Sequence, residues 1–134
     1  MNINLTFADD GGYSGEVFAR MVRHCLRGLV EANGVALESG ILPPLYSSDV
    51  RYQEEPPDVE SFIDGLTCYR RGHGDCAHLA AWRVAELQVQ GEPADITIEF
   101  QPSQLRPGCM LYHVQVRRAD GSVEDPSVIL GMNQ

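Results

Sequence analysis

"RRGHGDCAHLAAWRVAEL", residues 70–87, decides the fold. Gly74-Asp75 reads as a helix entry, because an aspartate side chain accepts hydrogen bonds from the first unpaired backbone N–H groups of a helix. That places Cys76 at the first helical position. Beyond it, Ala77, Leu79, Ala80, Ala81, Trp82, Val84, Ala85, Leu87 and Val89 surround most of the circumference. A helix apolar nearly all round belongs in the interior. Its alanines keep it thin, so neighbouring elements can pack close. Gly91 ends it and Pro93 follows. The spacing predicts a buried helix with a thiol at its N-terminal tip.

Upstream, residues 14–33 ("SGEVFARMVRHCLRGLVEAN") carry Val17, Phe18, Met21, Val22, Cys25, Leu26, Leu29 and Val30 at helical spacing. Ser14 reads as the N-cap and Asn33-Gly34 as the stop. Cys25 falls on the apolar stripe and reads as core, with His24 beside it as a boundary residue. Residues 40–58, with four prolines, Tyr46 and Tyr52, read as a long irregular connection. Residues 58–70 read as a short helix with Val59, Phe62, Ile63, Leu66 and Tyr69 on one side; Cys68 belongs to it as a packing residue. Downstream, "ADITIEF" (94–100) and "MLYHVQVRR" (110–118) alternate, and "SVEDPSVIL" (122–130) follows Ala119-Asp120-Gly121. Helices followed by an antiparallel sheet indicate an α+β fold.

The register of the last hairpin bears on chemistry. A two-residue turn at Asp120-Gly121 would set Asp125 opposite Val116 and turn His113 to the other face. A turn at Ala119-Asp120 with a left-handed Gly121 sets Asp125 opposite Gln115 instead, with His113 as its diagonal neighbour on the same face. Diagonal neighbours lie about 7–8 Å apart, within reach of a His–Asp hydrogen bond. Ala119 disfavours the left-handed conformation that the first turn requires, which favours the second. Pro126 then ends the ladder.

A thiol at a helix N-terminus faces unpaired N–H groups and the positive end of the helix dipole, so its pKa is expected to fall. The same N–H groups are suited to hold the oxyanion of a tetrahedral intermediate. Gly72 and Gly74 leave the approach open. A cysteine nucleophile needs a base and the base an orienting group; His113 and Asp125 supply both types.

The chain has 134 residues and a net charge of −9, with 43% hydrophobic and 22% charged residues. That size suits one domain, 1–134, with the N-terminal helix and connection over 1–45 and the core over 46–134. The acidic balance argues against nucleic acid or an anionic membrane as partner. No segment approaches the roughly 20 apolar residues that span a bilayer. The start, "MNINLTFADDGG", lacks the basic and apolar regions of a secretion signal. The four cysteines (Cys25, Cys68, Cys76, Cys109) are therefore expected as free thiols in a reducing compartment. A zinc site is a competing reading: Cys109 and His113 are spaced to share a strand face, with Cys76 and His78, or Cys68 and His73, completing four ligands. No CxxC pair supports it.

The run "RRGHGDCAHLAAWRVAEL", the hairpin "YHVQVRRADGSVEDPS" and the terminal "LGM" resemble the transglutaminase-like, papain-fold cysteine enzymes, notably the small forms encoded by tailed phages and prophages. The resemblance covers residues 45–132. It implies a papain-like core, Cys76 as nucleophile, His113 as general base and acid, and Asp125 as its orienting partner. It implies acyl transfer from a peptide or protein amide through a thioester, without a cofactor, in the bacterial cytoplasm or in a phage particle. "VRYQEEP" resembles the segment before the nucleophile, which makes Tyr52 a candidate second oxyanion donor; Tyr112 and Asp75 are expected to line the cleft. The phage forms carry acidic residues after the nucleophile where this chain has Ala77 and His78, and His78 is expected on the exposed side of its helix. The same resemblance admits a second role, as a structural or assembly part of a phage particle alongside other phage proteins.

Overall fold

The apolar stripe near the N-terminus does form a helix, but it runs past the expected stop. In the computed structural model, which describes residues 2–4, 15–55, 61–102 and 110–132, helix α1 spans Gly15–Glu38. Ser14 lies outside the described residues. Asn33-Gly34 does not end α1, because both residues serve tertiary contacts. The buried Asn33 side chain accepts a hydrogen bond from Gly65 N–H (2.7 Å). Gly34, without a Cβ, faces Val89. The chain leaves the helix only at Gly40, at a φ of +80° that glycine adopts without strain.

Residues 61–71 correct a second expectation. Ser61–Ile63 form a strand, β3, antiparallel to β1 (Asn2–Asn4), and helix α2 starts only at Gly65 and runs to Arg71. Pairing with a segment some sixty residues away overrides the local helical pattern. Residues 56–60 lie outside the described residues. Within the irregular connection, Leu45–Ser47 make one 3-10 turn and Arg51–Tyr52 a short strand, β2. β2 runs parallel to β4 (His73–Gly74), with Tyr52 opposite Gly74.

Helix α3 spans Cys76–Val89 and is buried on both sides, as its composition predicts. One side packs with α1 (Val22, Leu26, Leu29) and the inner face of the sheet (Ile96, Val114, Val116). The other packs with Leu42, Leu45, Val50, Ile63 and Leu130 around Leu79 and Trp82. Trp82 donates its indole N–H to Pro43 O (3.1 Å). The sheet is antiparallel, in the order β5 (Asp95–Pro102), β6 (Met110–Arg117), β7 (Val123–Glu124). Helices and a small antiparallel sheet thus form an α+β fold. Among the described residues no helix is long and apolar enough to cross a membrane.

The hairpin takes the bulged register. Val116 pairs with Glu124 and Arg117 with Val123, and Gly121 sits at φ +88°. The strand expected over 122–130 is only two residues long. Pro126 cannot donate to a ladder, and Pro126–Ile129 form a short helix, α4.

A part-buried ionic network ties this hairpin to α3. Glu124 accepts from Arg83 Nε (2.7 Å), Arg118 NH1 (2.9 Å) and the Tyr46 hydroxyl. Burial raises the Glu124 pKa, but these bonds outweigh it and hold the carboxyl below its usual range. Removing one charge from such a network leaves its partners unmatched. Glu124→Gln is therefore expected to destabilise the fold by about 2 kcal/mol, less than for a fully buried pair. The check is chemical denaturation at pH 7.

Candidate active site

Asp75 caps α3 as the sequence indicates, accepting from Ala77 N–H (3.0 Å) and His78 N–H (3.2 Å). Cys76 is the first helical residue. Gly74 must be glycine-like in size, since a Cβ there would stand 3.2 Å from both Cys68 Sγ and His78 Cβ. The cap already engages the Ala77 and His78 N–H groups expected to face an oxyanion, although Ala77 N–H also acts on the Cys76 sulfur. The N–H of Cys76 itself is left.

His78 is not exposed; it is fully buried. It occupies the third position of a capping box, where glutamate or glutamine is usual. Its Nδ1 accepts from Asp75 N–H (3.2 Å), and its Nε2 meets Ser61 O at 2.7 Å. The Asp75 carboxylate is equally close to Nδ1 at 3.2 Å. An N–H can only donate and a carbonyl only accept, so the hydrogen bonds fit a ring protonated at Nε2 alone. His78 thereby pins the tip of α3 to β3.

The sulfur of Cys76 lies at the gap where β7 stops. Arg118 N–H donates to Ser122 O (2.8 Å), and Val116 pairs with Glu124. Even-numbered residues of β6 therefore turn their N–H groups toward β7. At Val114 that neighbour has gone, because the chain has turned into α4. The Val114 N–H is directed at Cys76 instead.

The thiol is not activated at rest, contrary to the helix-tip expectation. Cys76 keeps a partly exposed surface, yet burial of the thiol pushes its pKa up to about 12. The negative charge of Asp75 adds to the rise, and the N–H groups of Val114 and Ala77 only partly oppose it. Desolvation of a thiolate outweighs the helix dipole here.

His113 and Asp125 meet as the bulged register requires. His113 Nε2 lies 2.8 Å from Asp125 Oδ2, and Gln115 Nε2 donates to the same oxygen at 3.1 Å. Asp125 Oδ1 accepts from Ser127 N–H (3.1 Å) and Val128 N–H (3.4 Å), capping α4. Burial alone would raise the Asp125 pKa; the His113 and Gln115 hydrogen bonds outweigh it and lower the pKa. An ionised carboxylate only accepts, so the shared proton sits on His113 Nε2. Among the described residues no hydrogen bond joins His113 to Cys76.

Tyr52 is brought in by backbone pairing. Its N–H donates to Leu130 O (3.0 Å) beside α4, and the next residue, Gln53, donates to Gly74 O (2.9 Å) beside the tip of α3. Burial, followed by the nearby charges of Cys76, Glu54, Asp75 and Asp125, raises the Tyr52 pKa to about 12, so the hydroxyl keeps its proton. Tyr112 packs, partly buried, against the cluster that Cys76 also borders. By strand alternation it lies on the opposite face of β6 from His113.

Among the described residues, members of the competing zinc set do not come together. His78 has both ring nitrogens engaged, and Cys109 lies outside the described residues. Glu55, Asp75 and His78 bring ligand atoms within 4.8 Å of one another. The Arg71 guanidinium, however, reaches Glu55 Oε1 (3.4 Å) and lies 3.5 Å from His78 Nδ1, placing a cation there already. Cys25 and Cys68 are free; Cys68 is buried in the core, and Cys25 packs partly buried against it.

The roles of two site residues escaped the sequence reading. Gln115 follows His113 by two and so shares its strand face, a signal the alternation carried. His78 stands three residues after Asp75, the capping-box spacing. Set against family models, curated proteins and solved structures, the chain matches none of them.

Proposed function

We propose that the protein is a cysteine acyl-transfer enzyme of the transglutaminase-like kind, acting on a peptide or protein amide. The observation that carries this reading is the His113–Asp125 pair at 2.8 Å, whose carboxylate is close enough to Cys76 for its charge to act on the thiol. In the reaction Nδ1 takes the thiol proton as Sγ bonds to the carbonyl carbon. The carbonyl electron pair moves onto oxygen, and on this reading the Cys76 N–H and the Tyr52 hydroxyl would donate to it. The intermediate collapses by breaking the C–N bond, and the imidazolium gives its proton to the departing amine. Water or a second amine then attacks the thioester, with His113 again removing and returning a proton. Apo sites of this type are often looser than the reacting complex, which accommodates the missing Cys76–His113 hydrogen bond.

A second reading, a structural part of a phage particle that retains the fold without activity, is favoured by one observation: the thiol is protonated at rest and unbonded to His113. Acyl-enzyme trapping separates the two. On incubation with a p-nitrophenyl ester or a glutaminyl peptide, an enzyme gains one acyl group on Cys76, seen by intact mass and peptide mapping. A silent domain shows no Cys76 acylation above that of Cys25 and Cys68.

A further inference from the structure

We propose that Gln115 is a positioning residue that fixes the orientation of Asp125 and, through it, of the His113 ring. The kinetic part of this proposal rests on the acyl-transfer reading; the structural part does not.

The two oxygens of Asp125 are divided between two tasks. Oδ1 is held by the backbone of α4 through Ser127 and Val128 N–H. Oδ2 receives both His113 Nε2 (2.8 Å) and Gln115 Nε2 (3.1 Å). The backbone cap fixes where the carboxyl group sits, but a single cap oxygen still allows the plane to rock about it. Gln115 stops this rocking by anchoring the second oxygen from the strand side. Because Gln115 and His113 are two apart on β6, both donors ride on the same backbone and approach Oδ2 with fixed spacing.

A glutamine suits this task because its amide is a neutral donor. It keeps Asp125 ionised, as the lowered pKa requires, without adding a second charge near His113. The other titratable or charged groups near this pair are Cys76 on α3, Tyr52 on β2, and Glu99, opposite His113 on β5. A lysine or arginine in place of Gln115 would compete with the imidazole for the carboxylate. A glutamate would repel it.

The test uses Gln115→Met, which keeps side-chain length and volume but has no donor, and Gln115→Leu. The first readout is the tautomer of His113, from its ring nitrogen shifts by NMR on the full chain. Wild type is expected to hold the proton on Nε2 at pH values where the ring is neutral; both variants are expected to show a mixture of tautomers. The second is single-turnover acylation of Cys76 by a p-nitrophenyl ester. Its maximal rate is expected to fall about tenfold with little change in the concentration dependence, the signature of misplaced catalytic groups. A packing-only role would change the denaturation midpoint and leave the tautomer alone. If both variants keep the wild-type tautomer, the proposal is overturned. If wild-type Cys76 is never acylated, the enzyme reading falls, and the tautomer still decides the role of Gln115.

Discussion

Asp125→Ala is expected to damage stability and chemistry together, and Asp125→Asn to separate them. Asp125 is the N-cap of α4 and the partner of His113 at once. Alanine loses the cap, which typically costs about 1–2 kcal/mol. The loss spreads beyond α4, because Leu130 at its end accepts from Tyr52 N–H and so anchors β2. Asparagine keeps an oxygen for the Ser127 and Val128 N–H groups, so its stability should stay close to wild type. It cannot, however, offer His113 a charged acceptor, and a neutral orienting group leaves the imidazole in the wrong tautomer for base catalysis. The acylation rate of both variants should fall by about 10³–10⁴. The pH dependence of stability gives an independent check. The folded-state pKa of Asp125 is lowered, so its contribution is complete above the ordinary carboxylate range and is lost as pH falls through the folded value. Asp125→Asn should flatten that part of the acid-unfolding curve.

Cys76→Ser is expected to abolish acyl transfer while leaving the fold intact. Burial holds the thiol pKa well above its ordinary value, so the free thiolate is a minor species at pH 7. On the proposed mechanism the nucleophile is therefore made during the reaction, by transfer of the proton to His113. A hydroxyl is a poorer acid and a poorer nucleophile in the same position. Its rate should fall by at least about 10⁴, below detection in an ester assay. The substitution is nearly isosteric and sits at a partly exposed position, so the denaturation midpoint should move by less than about 1 kcal/mol. A serine variant with near-normal activity would place the nucleophile elsewhere.

The parts of the fold fixed by short-range rules were legible in the sequence. The Asp75 cap, the all-round apolar α3 and the bulged hairpin follow from local chemistry, and the hairpin register alone brought Asp125 to His113. What escaped depended on distant partners. Asn33 reads as a helix stop but serves as a ligand for the first N–H of α2. Ser61–Ile63 read as helix but pair with β1. Residues 126–129 read as strand, although Pro126 in the first turn of a helix is as favourable as Pro126 ending a ladder. The thiol shows the limit most clearly. The helix tip favours a thiolate, and only the packed structure reveals that burial and Asp75 oppose it more strongly. His78 likewise looked exposed because no local pattern announces the Ser61 carbonyl waiting above it.

The central claim is that His113, held by Asp125, is the base that activates Cys76. The rate of Cys76 alkylation by iodoacetamide at pH 7, followed by peptide mass spectrometry in wild type and in His113→Ala, tests it most directly. A rate that falls by about 10² or more in the variant, with Cys25 and Cys68 unaffected, is the predicted result. Equal Cys76 rates in the two proteins would contradict the account.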